Sequence, residues 1–186
     1  MTKPYKPKLY VGGKIKHNDF RYPTIMGLEP YVREYRPSNA LTLDDNLKHF
    51  FASNTEIENE PYQYMGPFPV CWIKAREEAE AAAKNGEAPG KTLSRKDVFN
   101  ICQKGIELCD IFIAHFESVD DLTAYATLAE IGEAFSLGKV IMLSGHYDDR
   151  LWFVWKMAHY TFINRTFADV FPEMVQISID ITNDNA

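Results

Sequence analysis

The sequence has few cysteines, and none of them has the spacing of a metal or disulfide site. Three cysteines occur in 186 residues, Cys71, Cys102 and Cys109, an odd number without a CxxC pair. Neither a disulfide framework nor a Cys/His zinc site is therefore expected. We predict reduced, mostly buried thiols and a cytoplasmic protein. No two histidines have the i, i+4 spacing of helical metal ligands, so we also predict no metal and no cofactor.

Positive charge and long apolar runs are also scarce. The net charge is −6, and the 20 Lys and Arg residues form no basic stripe, which argues against a nucleic-acid polymer as partner. No apolar stretch approaches the roughly 20 residues that a membrane helix needs. The charged, proline-containing start of the chain does not resemble a signal peptide. We expect a soluble protein that does not bind a membrane.

Hydrophobic residues make up 46% of the chain, which is enough for one ordinary core, and we expect a single domain over residues 1–186. Alternating strand and helix patterns predict an α/β fold with a doubly wound, Rossmann- or flavodoxin-like, mostly parallel sheet of about five strands and flanking helices. The predicted strands cover residues 8–11, 62–70 up to the turn at Gly66-Pro67, 111–115, 140–143 and 175–181. The predicted helices cover 72–84, 94–109, 122–137 and 150–160.

The helix predicted over 122–137 carries two glutamates that face different ways. Its apolar residues recur at spacings of four, three and four, which predicts a core face made of Ala124, Leu128, Ile131 and Phe135. Glu133 then lies almost opposite this face, whereas Glu130 lies on the flank beside Thr127. Ligands of open α/β sheets bind beyond the carboxyl ends of the strands, so Glu130 is the better candidate for a functional carboxylate. The alternative is a solvated surface glutamate.

Two segments resemble the nucleoside 2-deoxyribosyltransferase family, including its relatives that hydrolyse nucleoside 5′-monophosphates. The longer segment is CDIFIAHFESVDDLTAYATLAEIGEAFSLGK, residues 109–139, in which Glu130-Ile131-Gly132, Ala134, Gly138-Lys139 and the preceding Thr127 match the family pattern. The shorter is KLYVGGKI, residues 8–15, which resembles the first strand and glycine loop. Tyr10 stands where a tyrosine often steadies the catalytic carboxylate.

The resemblance implies a nucleoside deoxyribosyltransferase-like domain and a retaining reaction on a nucleoside or nucleotide. Glu130 attacks the anomeric carbon, the base leaves, and a second base or water releases the sugar. It also implies a homo-oligomer, a dimer or larger. Two alternatives stay open. Lys14, Lys16 and Arg21 favour a nucleoside 5′-monophosphate N-glycosidase, whereas a non-catalytic nucleotide-binding protein would explain the departures from the family pattern.

Those departures concern the expected acid. Cys102 stands where many relatives carry an aspartate, and Ala124 stands where aspartate or serine is common. Asp120 and Asp121 are the remaining catalytic candidates, although capping of the helix explains them about equally well.

The residues predicted to bind substrate lie near strand ends and beside the nucleophile. Glycines let a ligand approach the backbone closely, and an arginine or aspartate can hold phosphate or sugar hydroxyls. Solvated loop charges are the alternative. The predicted set is Gly12, Gly13, Asp19, Arg21, Gly66, Pro67 and Thr127.

Overall fold

A computed structural model describes residues 5–14, 20–25, 60–67, 95–118 and 125–184. The strands are β1 (Lys8–Gly12), β2 (Gln63–Gly66), β3 (Ile111–Phe116), β4 (Val140–Gly145) and β5 (Tyr160–Ile163). The helices are α1 (Arg95–Leu108), α2 (Tyr125–Ser136), α3 (Trp152–Met157) and α4 (Phe167–Asp184), and a 3₁₀ turn, Asp149–Leu151, leads into α3. In the described part of the chain no helix has the length and apolarity needed to cross a bilayer.

The five strands form one sheet in the order β2-β1-β3-β4-β5, and every neighbouring pair is parallel. This confirms the predicted doubly wound α/β fold. All six residues of β3 are buried, as expected for a central strand with both faces covered. The direction of winding reverses between β1 and β3, and in such sheets the ligand crevice opens at the carboxyl ends of the strands at that reversal.

The two faces of the sheet carry separate apolar clusters because side chains alternate along a strand. On one face Leu9 and Val11 of β1 pack with the buried side of α4. On the other face Tyr10 packs with Phe112 of β3 and with residues of α1, α2 and α3. Tyr10 is therefore directed toward the layer that contains α2.

The C-terminal segment differs from the prediction, because residues 175–181 belong to helix α4 and not to a strand. The alternating isoleucines of this segment suggest a period of two when they are viewed alone. Over all 18 residues the buried positions follow helical spacing instead: Phe167, Val170, Phe171, Met174, Val175 and Ser178. The pattern over the full 18 residues identifies the helix, whereas the pattern over residues 175–181 alone wrongly indicates a strand.

The fifth strand lies where a helix was predicted to end. The helix expected over 150–160 is α-helical only from Trp152 to Met157, and Ala158 is extended. The run Tyr160-Thr161-Phe162-Ile163 then pairs with β4 as an edge strand, in which Phe162 alone is buried. Aromatic and β-branched residues favour a strand over continuation of the helix.

Helix α2 confirms the predicted element over its described part but not its core face. The buried residues are Thr127, Ile131 and Ala134, while Phe135 is 52% exposed and Leu128 is only partly buried. At about 100° per residue the true face is rotated by about 60° toward Glu130. The rotation turns Glu130 from the flank toward the sheet. Ala124 and the helix predicted over 72–84 lie outside the described residues.

Candidate active site

Tyr10 and Glu130 meet at the carboxyl end of β1. The Tyr10 ring is fully buried and stacks on Phe112 with 5.3 Å between ring centroids. Its hydroxyl donates a hydrogen bond of 2.7 Å to Oε1 of the partly buried Glu130. The structure thus brings together the two residues that the sequence predicts as nucleophile and supporting tyrosine, although they are 120 positions apart.

Gly12 ends β1 against the other oxygen of this carboxylate. A Cβ atom at Gly12 would lie 2.9 Å from Cζ of Phe112 and 3.3 Å from Oε2 of Glu130. A side chain at this position would therefore displace the ring or the carboxylate. Gly13 follows with φ of 151°, a conformation that favours glycine. The absence of a side chain at Gly12 allows Glu130 to approach the end of the strand.

Arg21 is fully buried beneath the glycine loop. Its Nε donates to the carbonyl oxygen of Val11 and its Nη2 to that of Gly13, both at 2.8 Å. The guanidinium also lies 4.4 Å from the ring centroid of Phe20. This placement fixes the loop and puts a positive charge near Glu130. Direct contact between Arg21 and a ligand stays a prediction.

The pKa of Glu130 reflects opposing effects. Burial raises it from 4.5 to about 7, because a carboxylate loses hydration inside the protein, while the Tyr10 hydrogen bond and the Arg21 charge lower it. Glu133, one turn away, raises it by repulsion. Burial outweighs the two favourable contacts, so Glu130 exchanges its proton near neutral pH.

Helix α1 places Cys102 near the site. In the sequence this residue was notable only because it replaces an aspartate that many relatives carry. Cys102 is partly buried and packs against the apolar cluster that contains Tyr10, and burial raises the pKa of its thiol to about 11. On the neighbouring turns of the same helices, Gln103 donates a hydrogen bond to Glu133. The glycine at position 105, one turn after Cys102, is the sequence signal that could have indicated close packing of α1 here.

The other residues predicted to bind substrate or to act in catalysis lie on several different elements or outside the described ranges. Thr127 is buried one turn before Glu130. Gly66 and Pro67 are buried at the end of β2 and joined by a cis peptide bond, and the Tyr64 hydroxyl donates to the Pro67 carbonyl at 2.6 Å. Asp19, Asp120 and Asp121 lie outside the described ranges, so their roles stay predictions.

A cavity of about 480 Å³ lies at the carboxyl ends of β3 and β4, on the face covered by α4. The buried His115 contributes to its wall and forms a 2.9 Å hydrogen bond between Nδ1 and Oγ of Ser144. Phe20, which adjoins Gly13, contributes to the same wall. The sequence pointed to no site on this face. Another cavity, of about 530 Å³, lies at the amino ends of β3 and β4, away from Glu130.

Comparison with known proteins assigns the chain to no family. No protein-family model matches the chain, and no curated protein matches it. Among solved structures it is similar to the CMP N-glycosidase of Clostridium botulinum, at 21% sequence identity and a TM-score of 0.37, over 56% of this chain and 88% of that one. A likeness this distant assigns no activity to this chain.

Among the residues that the structure describes, the chemistry of the site centres on the carboxylate of Glu130. Glu130 is partly buried, titrates near neutrality and has one oxygen fixed by Tyr10, properties of carboxylates that act as nucleophiles or as general acids and bases. Among the residues described, no group of three or more His, Cys, Asp and Glu side chains could hold a metal ion.

Proposed function

We propose that this protein cleaves the N-glycosidic bond of a nucleoside or nucleotide, with Glu130 as the nucleophile. The observation that carries the proposal is the 2.7 Å hydrogen bond from Tyr10 to Glu130 at the carboxyl end of β1, beside the reversal of the sheet order. Ligands of doubly wound folds bind at that position. The sequence resemblance to nucleoside 2-deoxyribosyltransferases over residues 109–139 supports the class of substrate.

The reaction would proceed in two displacements. The ionised Glu130 carboxylate forms an ester bond to the anomeric carbon while the C–N bond breaks, and the base leaves with the bonding electrons and gains a proton. Asp120 and Asp121 are the candidates for that proton's donor. Water or a second base then gives its proton to the donor that lost one in the first step and attacks the anomeric carbon, and the ester breaks, which restores the carboxylate. The Tyr10 hydrogen bond supports the ionised form needed at the start.

Transfer to a second base is the first candidate, and hydrolysis of a nucleoside 5′-monophosphate is the second. The exposed Lys14, directly after the glycine pair, favours the second because an accessible ammonium suits a phosphate. Arg21 supports it less than the sequence suggests, since its guanidinium bonds to loop carbonyl oxygens.

The test is a screen of nucleosides and nucleoside 5′-monophosphates for free-base release by chromatography, with and without an added second base. Exchange products indicate transfer, and a strict requirement for the 5′-phosphate indicates the monophosphate hydrolase. We expect Glu130→Gln to lower turnover by about 10⁴-fold or more, as loss of a covalent nucleophile does in other enzymes.

Glu133→Gln is the matched control, since it removes a carboxylate one turn away on the same helix. Its turnover should stay within a few-fold of the wild type, as expected for a group that does not touch the substrate. Tight nucleotide binding without base release, unchanged by Glu130→Gln, would contradict the proposal and favour a binding protein.

A further inference from the structure

The cavity of about 480 Å³ at the carboxyl ends of β3 and β4 is formed by segments that are far apart in the sequence. Its wall includes the turn at residues 20–24, the ends of both strands and the junction between β5 and α4. Ligands of doubly wound folds bind beyond the carboxyl ends of the strands, and small-molecule sites have volumes of about 300–1,000 Å³. Glu130 bonds to Tyr10 on the other face of the sheet, so this cavity is separate from the proposed nucleophile.

His115 contributes to the wall as a buried ring whose orientation is fixed. Its Nδ1 forms a 2.9 Å hydrogen bond with Oγ of Ser144, the residue opposite it in the β3–β4 pair. The ring centroids of Phe20 and Phe167 lie 4.8 and 5.4 Å from that of His115, and 4.7 Å from each other. This part of the wall is therefore a packed set of three aromatic rings, one of them polar, and aromatic rings pack well on other flat rings.

The backbone at this end of the sheet is fixed as well. Gly145 has φ of 97°, and a Cβ atom there would overlap the carbonyl oxygen of Phe116 and lie 3.0 Å from Cε1 of His115. The amide of His146 donates to the carbonyl oxygen of Phe116 at 2.6 Å, and the amide of Asn164 donates to that of Gly145 at 2.7 Å. These bonds join the ends of β3, β4 and β5, so the wall is formed before any ligand arrives.

The charges of the wall indicate what class of ligand it suits. Among the wall residues that the structure describes, Arg165 and Glu117 carry formal charge when histidine is neutral, and Arg165 forms a 2.8 Å ion pair with Glu173. A phosphate or another strong anion needs positive charge that is not already compensated. The Asn164 amide can donate and accept hydrogen bonds, and Glu117 can accept them. The wall therefore suits a neutral molecule with donors and acceptors on its edge.

We propose that this cavity binds a free nucleobase, a neutral purine or pyrimidine, at a site separate from Glu130. A flat heterocycle can pack against the rings of the wall, and its edge carries the donors and acceptors that the polar residues of the rim complement. The choice of a nucleobase rests on the proposed function, because that reaction releases a free base or consumes one.

Phe20 connects this cavity to the glycine loop beside Glu130. It lines the cavity, while a Cβ atom at Gly13 would lie 2.8 Å from its Cε1. The guanidinium of Arg21, which bonds to the loop carbonyl oxygens, lies 4.4 Å from the Phe20 ring centroid. A base packed against Phe20 would therefore restrain the loop without touching the nucleophile.

The experiment is an NMR titration of the full chain with adenine, hypoxanthine, cytosine and uracil, and with inorganic phosphate as a separate probe. The imidazole signals of His115 and His146 report on the cavity. We expect at least one base to shift both signals saturably, with a Kd between about 1 μM and 1 mM, as for other ligands of this size. Phosphate should not shift them.

Two variants change the wall and one serves as the matched control. Ala168→Trp places a large side chain at an exposed position of the wall and should weaken base binding by about ten-fold or more. Asn164→Gly removes the amide at a residue with φ of 58°, which glycine adopts readily, and should weaken binding about 3–10-fold. Glu130→Gln should leave the Kd within about two-fold, because Glu130 is on the other face. Circular dichroism checks that each variant is folded.

Three results would overturn the proposal: no base binds at about 10 mM, phosphate binds in place of a base, or binding survives both wall variants and is lost in Glu130→Gln. The last result would place the base beside the nucleophile. The titration involves no turnover, so the two proposals fail separately. A base bound in the cavity of an inactive protein contradicts only the proposed function, and an active protein that binds no base there contradicts only this inference.

Discussion

Glu130 illustrates how burial and hydrogen bonding compete at one carboxyl group. Its folded pKa of about 7 arises because desolvation outweighs the Tyr10 hydrogen bond and the Arg21 charge. A nucleophilic carboxylate must be ionised, so activity should rise with pH through the region near 7. The Tyr10 hydrogen bond and the Arg21 charge keep the pKa of Glu130 from lying higher, and each can be removed by a separate substitution.

Tyr10→Phe removes the hydroxyl and retains the ring that stacks on Phe112. A hydrogen bond to a charged group contributes about 1.5–3 kcal/mol, which corresponds to about 1–2 pH units in the midpoint of Glu130. We expect the rising limb of the pH–activity profile to move upward by that amount, with partial recovery of turnover at alkaline pH. A profile that is lowered without a shift would show that Tyr10 does not act through the ionisation of Glu130.

Glu130→Gln should stabilise the protein, but only in one range of pH. An unfolded glutamate ionises near 4.5 and the folded Glu130 near 7, so the folded state holds the extra proton between these values. Stability therefore falls as pH rises through that window, and the full cost is present above about 7. Gln does not ionise, so above pH 7 the free energy of unfolding of the variant should exceed that of the wild type by about 1–3 kcal/mol, a range already reduced for the partial exposure of Glu130. Below pH 4.5 the two free energies should differ little.

Urea unfolding at pH 4.5, 6 and 8 measures that difference. Glu133→Gln serves as the comparison because Glu133 is on the same helix and burial also raises the pKa of its carboxyl group. This carboxyl group accepts a hydrogen bond from Gln103 of α1. We expect a smaller pH-dependent gain there. A gain in Glu130→Gln that is the same at all three pH values would rule out ionisation as its cause.

At the scale of the elements, sequence periodicity found most of the sheet but misjudged one helix face. In α2 it ranked Leu128 and Phe135 above Thr127 and Ala134 as core residues, because a helical wheel considers apolar character alone. Close packing of α2 on the sheet selects Thr127 and Ala134 instead. The same limit explains α4, where a short alternating run concealed a helix of 18 residues.

The site was predictable only in part for a related reason. Motif resemblance singled out Tyr10 and Glu130, which the structure brings within hydrogen-bond distance. The packing of Cys102 and Gly105 near Tyr10 was not visible, because it depends on how α1 lies over β1. Arg21 appeared as a charge for phosphate, whereas its burial against the carbonyl oxygens of Val11 and Gly13 depends on the path of the backbone.

Two helical glycines test this packing in opposite directions. Gly105→Ala places a Cβ atom 2.6 Å from a backbone oxygen of β2, so α1 must shift, and we expect a loss of about 1–3 kcal/mol as in other overpacked cores. Gly132→Ala in α2 meets no atom within 4 Å and should gain up to about 1 kcal/mol from helix propensity. Urea unfolding of both variants measures these changes, and equal effects would contradict the packing described.

At the scale of the whole molecule, helix α4 covers the sheet face opposite the one that carries Tyr10 and Glu130. Phe171 lies at the centre of this cover, with its ring against Phe167 at 4.9 Å and against Tyr62 at 5.4 Å between centroids. Phe171→Ala should cost about 3–5 kcal/mol, a large share of the roughly 5–15 kcal/mol that stabilises an ordinary domain. The loss is expected although Phe171 packs on the face of the sheet opposite Tyr10.

The same variant tests whether the two faces unfold as one unit. Trp152 and Trp155 of α3 lie on the other side of the sheet from Phe171. With the third tryptophan removed by Trp72→Phe in every variant, the fluorescence reports on the layer that carries the site. If the chain is one domain, Phe171→Ala should shift the fluorescence transition and the far-UV circular dichroism transition in urea by the same amount. A fluorescence transition that stays at its wild-type midpoint while the dichroism moves would show that the α4 layer unfolds separately. The glutamate site would then be stable without it.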